Sequence, residues 1–177
     1  MTATGQELTT MNGAFGLTFG MSVDSASTVM NQKGGTEILK GETILVHIGI
    51  NFAGRSNATS TLVFDNNMLG IISFEFTPEL TAKTQQYFDE LKNDLSVKYG
   101  DPVCIRKFTG IYKDGDGYEM QAVKKGNGTI FCEWSFAFGN RIKIYIDESL
   151  KVNLMYINQE SANEMNRKSK QKESTDL

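Results

Sequence analysis

Among 177 residues the chain has one histidine, one tryptophan, two cysteines and two prolines, and each scarcity removes something. With His47 the only imidazole, a metal site built on several histidines is impossible, and any Ser–His or Cys–His nucleophile pair must use that residue. No phosphate-cradling Gly-x-x-x-x-Gly-Lys-Ser/Thr, nucleotide-binding Gly-x-Gly-x-x-Gly or Gly-x-Ser-x-Gly elbow occurs in the sequence, which removes the enzymes recognised by those turns. No apolar run approaches the ~20 residues of a membrane helix, so no span is expected. Basic excess is missing too: 18 Lys and Arg face 21 Asp and Glu, a net charge of −3, so a nucleic acid is not the expected partner.

The first residues, Met1-Thr-Ala-Thr-Gly-Gln-Glu, carry neither the basic start nor the apolar stretch of a signal peptide. The expectation is a cytoplasmic protein, with a processed exported one as the alternative. In the same frame Cys104 and Cys132 are read as reduced, buried small residues, although neighbouring strands could pair them.

What is present is a 40% hydrophobic, phenylalanine-rich chain with clear punctuation. Phe15, Leu17 and Phe19 alternate as in a short half-buried strand. Gly20 turns it, Ser22 stands where a helix N-cap belongs, and Asp24 suits the positive end of the helix dipole. Val23, Ala26, Val29 and Met30 form an apolar stripe that ends at Gly34-Gly35. A strand follows, with Ile44, Val46, Ile48, Ile50 and Phe52 read on one face and Leu45, His47, Gly49 and Asn51 on the other. Asn66-Asn67 reads as a two-residue hairpin turn setting Phe64 opposite Leu69 and Leu62 opposite Ile71.

Thr77-Pro78-Glu79 predicts the start of a second helix, whose stripe of Leu80, Thr84, Tyr87, Phe88, Leu91, Leu95 and Tyr99 stops at Gly100-Asp101-Pro102. Strands are then expected over 103–108, 118–123, 129–138, 141–147 and 151–157. A three-residue loop or bulge would put Trp134, Phe136 and Phe138 on one face with Ile142, Ile144 and Ile146.

The pattern predicts an α+β fold: an antiparallel sheet, readable as two helix-plus-hairpin repeats (15–76 and 77–157), with two main helices on one face and the other face open. Residues 1–12 read as a flexible N-terminus, 13–157 as one domain, and 158–177 as a charged, solvated tail, disordered or with a frayed helix. The opening Phe-Gly-Leu-Thr-Phe-Gly-Met-Ser and the later Tyr99-Gly100-Asp101-Pro102 before antiparallel strands resemble the tandem α/β modules of the β-lactamase inhibitory protein type and the related small lipoprotein subunit of the outer-membrane assembly machine. The resemblance implies helices on one sheet face and an open face used for protein contacts. The chain departs from it in having only two cysteines and no lipid-attachment cysteine at its N-terminus.

Candidate chemistry is sparse. Asp114-Gly115-Asp116-Gly117 starts like a calcium loop, but its twelfth position is Lys125 where a bidentate glutamate belongs, so it reads as a loop. Glu133, Asp147 and Glu148 read as edge-solubilising acids, Lys124-Lys125 as a solvated turn and Trp134 as core. The function expected is non-catalytic binding of another protein through open-face residues His47, Asn51, Glu133, Ser135, Lys143, Tyr145 and Asn153, with no cofactor and no metal. The alternative is a small-ligand binder or an enzyme whose site lies in the cupped sheet.

Overall fold

The computed structural model describes the backbone of residues 9–175 and side chains as far as Gln171; what was expected of residues 1–8 and 176–177 lies outside the described residues. A two-residue pair, β1 (Gly13–Ala14) and β2 (Leu17–Thr18), precedes helix α1 (Val23–Gln32). Strands β3 (Thr36–Lys40), β4 (Ile44–Phe52), β5 (Arg55–Asp65) and β6 (Met68–Phe76) follow. Helix α2 (Thr84–Tyr99) leads to β7 (Val103–Phe108), α3 (Glu119–Lys124), β8 (Gly128–Ser135), β9 (Arg141–Ile146) and β10 (Val152–Ile157), and α4 (Gln159–Thr175) closes the chain.

β3 to β10 form one eight-stranded antiparallel sheet in the order β3-β4-β5-β6-β10-β9-β8-β7. Each half of the chain is thus a helix followed by a four-strand meander, and the last strands of the two meanders pair at the centre, from Phe76 opposite Val152 to Ile71 opposite Ile157. The sheet is open, with β3 and β7 at its edges. Helices α1 and α2 share one core on one face. Ala26 and Met30 from α1 and Phe88, Leu91 and Leu95 from α2 are buried with Leu62, Phe74, Ile144 and Leu154 of the sheet. Burying each such aliphatic or aromatic side chain contributes about 1.5–3 kcal/mol, so the apolar stripes, rather than helix propensity, hold the helices in place.

Local signals held where a side chain closes a turn. Ser22 Oγ accepts from Ser25 N at the start of α1. Asn66 and Asn67 take φ of 49° and 60° in the β5–β6 turn, with Phe64 opposite Leu69 as expected. Leu62, however, faces Ile72 rather than Ile71. Gly70 is the extra residue, and a Cβ there would lie 2.5 Å from Ser161 Cβ.

Other expectations are corrected. Phe15–Phe19 is not one strand: Phe15-Gly16 is the tight turn between β1 and the two-residue β2. The helix expected at Thr77 begins only at Thr84, after a single 3-10 turn over Thr81–Lys83. The buried Thr84 hydroxyl donates to Leu150 O (3.1 Å), which fixes the start to the core. Where residues 118–123 are expected as strand, Glu119–Lys124 instead form α3, which buries Ala122 and Val123 together. The β8–β9 loop takes residues 136–140, so Trp134 faces Ile142 and Phe138 stands 86% exposed instead of joining the stripe.

The ends are anchored too. Met11 is buried, Thr9 O accepts from Ala137 N, and Asn140 Nδ2 donates to Met11 O (2.9 Å), so residues 9–12 are fixed to the core. The tail, read as disordered or as a frayed helix, is helical over Gln159–Thr175. Asn158 Oδ1 accepts from Ser161 N at its start, Met165 packs toward Gly70, and Lys168 bonds Asp65 across the end of the sheet. Its few apolar residues sufficed because Gly70 leaves room for them.

Cys104 and Cys132, expected to be free, lie directly opposite each other on β7 and β8 and form a disulfide. Strand alternation puts both on the helix-bearing side, where only the register decides that they meet. The bond staples edge strand β7 to the sheet and closes a chain separation of 28 residues, for which chain-entropy arguments give a stabilisation of about 3–4 kcal/mol. Replacing both cysteines by serine should therefore lower unfolding free energy by roughly 2–4 kcal/mol. Thermal melts of the unaltered protein should shift down with reductant, and thiol titration of the denatured, non-reduced protein should find no free thiol.

Candidate functional site

The face of the sheet away from α1 and α2 is built by alternate residues, and strand register determines which ones meet there. One row runs across all eight strands as Leu39, Val46, Thr61, Ser73, Met155, Lys143, Glu133 and Val103. A neighbouring row carries Thr59, Glu75, Asn153, Tyr145, Phe131 and Ile105. No helix is long and apolar enough among the described residues to cross a membrane.

Of the seven residues expected on this face, four converge. Glu133 and Ser135 on β8 stand opposite Lys143 and Arg141 on β9, with Tyr145 two residues along from Lys143. Lys143 Nζ sits 4.6 Å from the Phe131 ring centroid and 5.6 Å from that of Tyr145, a cation held between two aromatic rings. Such contacts are worth about 0.5–1 kcal/mol at exposed positions and bias the ammonium toward this place before any partner arrives. Burial, with the nearby carboxylates of Asp147 and Glu75, pushes the Tyr145 phenol above its usual range, so it remains an O–H donor throughout the neutral range.

Asn153 belongs to a different arrangement. Its Nδ2 donates to Asp147 Oδ2 (3.0 Å), and Lys151 pairs with Glu75 at 2.7 Å, so the carboxylates and amide at this corner are satisfied within the protein. Asn51 is exposed but lies on β4, four strands from β9, which at ~4.8 Å per strand is roughly 19 Å away. Nor are Glu133, Asp147 and Glu148 a catalytic set: Asp147 accepts from the backbone N–H groups of Ser149 and Lys151 to shape the β9–β10 turn.

His47 is a correction. It faces the helices, with no exposed surface, and neither ring nitrogen has a hydrogen-bond partner; Ser60 opposite it on β5 is likewise buried with its hydroxyl unpaired. The cause is a bulge. His47 pairs with Ser60 and Ile50 with Ala58, so β4 carries one extra residue in between, at Ile48-Gly49, where Gly49 takes φ of 74°. The alternation flips there. Leu45 and His47 therefore point inward together with Ile50 and Phe52, while Ile44, Val46 and Ile48 point to the open face. Glu37, opposite His47 on β3, accepts from Ser27 Oγ at 2.6 Å. The Ser60, His47 and Glu37 positions thus neighbour one another across three strands, with His47 and Ser60 fully buried and Glu37 exposed at the edge.

The open face is accordingly more apolar than the sequence implied. Val103, Ile105, Phe131 and Met155 belong to the β7–β10 side of it, beside the charged Arg141, and Leu39, Val46 and Ile48 to the other. Reading positions 131, 133 and 135 as one alternating set would have found Phe131, and the isolated Gly49 inside the strand pattern was the signal for the flip. In the loop before α3, Asp116 accepts from Lys113 N and Tyr118 N, both at 2.8 Å, and Asp114 pairs with Arg106, so these carboxylates shape the turn. Compared with known protein families, curated proteins and solved structures, the chain matches none.

Burial drives the His47 pKa below its ordinary value, opposed only in part by Glu37. Between that depressed value and the unfolded one near 6.5, the unfolded chain binds a proton that the folded chain does not. The contribution of neutral His47 is complete above about pH 6.5 and is lost progressively as pH falls below it. His47→Leu should remove that part of the acid sensitivity and, by deleting two unpaired buried nitrogens, leave stability at neutral pH unchanged or higher. Urea unfolding of both proteins across pH 5–8 measures this.

Proposed function

We propose that this protein is a non-catalytic interaction module that binds another protein through the β7–β9 part of its open sheet face. The observation that carries the reading is Lys143 held between Phe131 and Tyr145 on a surface no helix covers, with Glu133, Arg141 and Val103 around it. Side chains already fixed on strands lose little entropy on docking, and an aromatic and cationic cluster is the kind of centre from which interface energy is drawn. Phe131 and Tyr145 offer broad apolar surface, Tyr145 a donor, and Glu133 and Arg141 opposite charges that favour one orientation of a partner.

Three allied readings belong to the same proposal. The helix-then-four-strands order of both halves supports their origin as two copies of one module. That order, with one sheet face open, also supports the resemblance to the β-lactamase inhibitory protein type. The Cys104–Cys132 bond supports an oxidising compartment in place of the cytoplasmic one, since reducing compartments keep such thiols apart.

Lys143→Ala combined with Tyr145→Ala should cost less than about 1.5 kcal/mol of stability, the lost cation–π contacts included. It should weaken a purified partner complex about tenfold or more, as expected for loss of central contacts. Calorimetric titration measures this; unaltered affinity, or an enzymatic activity that resides in the same purified protein, would sink the proposal.

A further inference from the structure

The Lys124-Lys125 pair read as a solvated turn ends α3 on the wall of a groove. This groove, of about 810 Å³, opens between α3 and the 3-10 turn that leads into α2. Its apolar lining comes from Ala82, Met120 and Leu150, its polar lining from Thr81, Gln121 and the two lysines, and no carboxylate lines it. Leu150 contributes from a left-handed backbone conformation, φ 59°, uncommon for a leucine and held by the hydrogen bond from Thr84 to its carbonyl.

Its electrostatics are one-sided in a chain of net charge −3. Neither lysine has an ion-pair partner among the described residues. The acids that precede the two lysines are engaged elsewhere, Asp114 with Arg106, Asp116 with two backbone N–H groups and Glu119 with Gly115 N, and Glu79, two residues before Thr81, does not line the groove. Glu148 approaches Gly126 but does not line the groove. The other wall leads into the positive end of the 16-residue α2, whose first turn has no acidic residue and whose N-cap, Lys83, offers no side-chain acceptor. Exposed Leu80 precedes that wall and exposed Tyr118 precedes α3.

We infer that this groove is a docking site for an acidic peptide segment of a partner protein, with an aliphatic side chain seated against Met120, Ala82 and Leu150 and carboxylates flanking it toward Lys124 and Lys125. Charge complementarity chooses the acidic occupant, and the apolar floor requires an anchor between the acids. The site stands apart from the open sheet face and does not depend on it.

Fluorescence anisotropy with three labelled peptides tests this: Glu-Glu-Leu-Glu-Glu, Glu-Glu-Ser-Glu-Glu and Lys-Lys-Leu-Lys-Lys. The first should bind at least about tenfold tighter than either of the others, as opposed charges and an apolar anchor predict. Lys124→Glu with Lys125→Glu should abolish that preference and favour the lysine peptide. Binding should move the amide resonances of Met120 and Ala82 in the unaltered protein. Equal binding of the leucine and serine peptides, affinity unchanged in the double variant, or no binding by any peptide would overturn the inference. So would capture of phosphatidylglycerol vesicles in place of the first peptide, which would make this a lipid-facing site.

Discussion

Everything in this fold hangs on the pairing of β6 with β10. Those two strands are the last of their meanders, and their contact makes one sheet of two halves. On the helix side they contribute Ile72, Phe74, Phe76, Val152, Leu154 and Tyr156, all buried, so the centre of the sheet is also the centre of the core. The aromatic group built on Phe74, with Phe52 at 4.6 Å and Phe15 at 5.3 Å between ring centroids, ties the first half and the N-terminal turn to that centre. Trp134 ties the second half, donating from Nε1 to Gly100 O at 2.6 Å where α2 ends. With both helices on that side, the opposite face is left to whatever its alternate residues can do.

Those residues divide it into unlike parts. Around β8 and β9 a lysine is held by two rings among charges of both signs. At the central strands Thr59, Thr61 and Ser73 keep the surface low and polar, and toward β3 and β4 it becomes aliphatic. The corner at Glu75, Lys151, Asp147 and Asn153 is internally satisfied and serves the β9–β10 turn. Functional potential is therefore concentrated rather than spread over the whole face.

The sequence made the class of fold legible because its strong signals are local: the Ser22 cap, the Asn66-Asn67 turn and the heavy stripe of α2. It was misleading where one residue changes parity. In β4 five β-branched or aromatic residues at alternating positions look like one dry face, yet the bulge at Gly49 divides them between two faces and turns His47 inward. Residues 119–124 contain too few apolar positions to separate a helical turn from a short strand. The start of α2 was misplaced because Thr77-Pro78 satisfies every local rule for an N-terminus, while the tertiary bond from Thr84 to Leu150 chose another. The disulfide needed register across β7 and β8, which local reading does not supply. Of the candidate site, Glu133, Ser135, Lys143 and Tyr145 followed from alternation alone, but the Phe131 platform and the separate groove at α3 depend on tertiary placement.

The meeting of the two last strands also sets an order of events on the ribosome. As β3 to β6 emerge they can fold onto α1, but β6 then presents its free N–H and C=O groups as an outer edge. Its permanent neighbour is residues 152–157, which leave the ribosome only after α2 and the other three strands of the second meander. This strongly apolar strand thus waits, transiently an edge, while residues 77–151 are made. Any factor that shields nascent strands has its clearest target there.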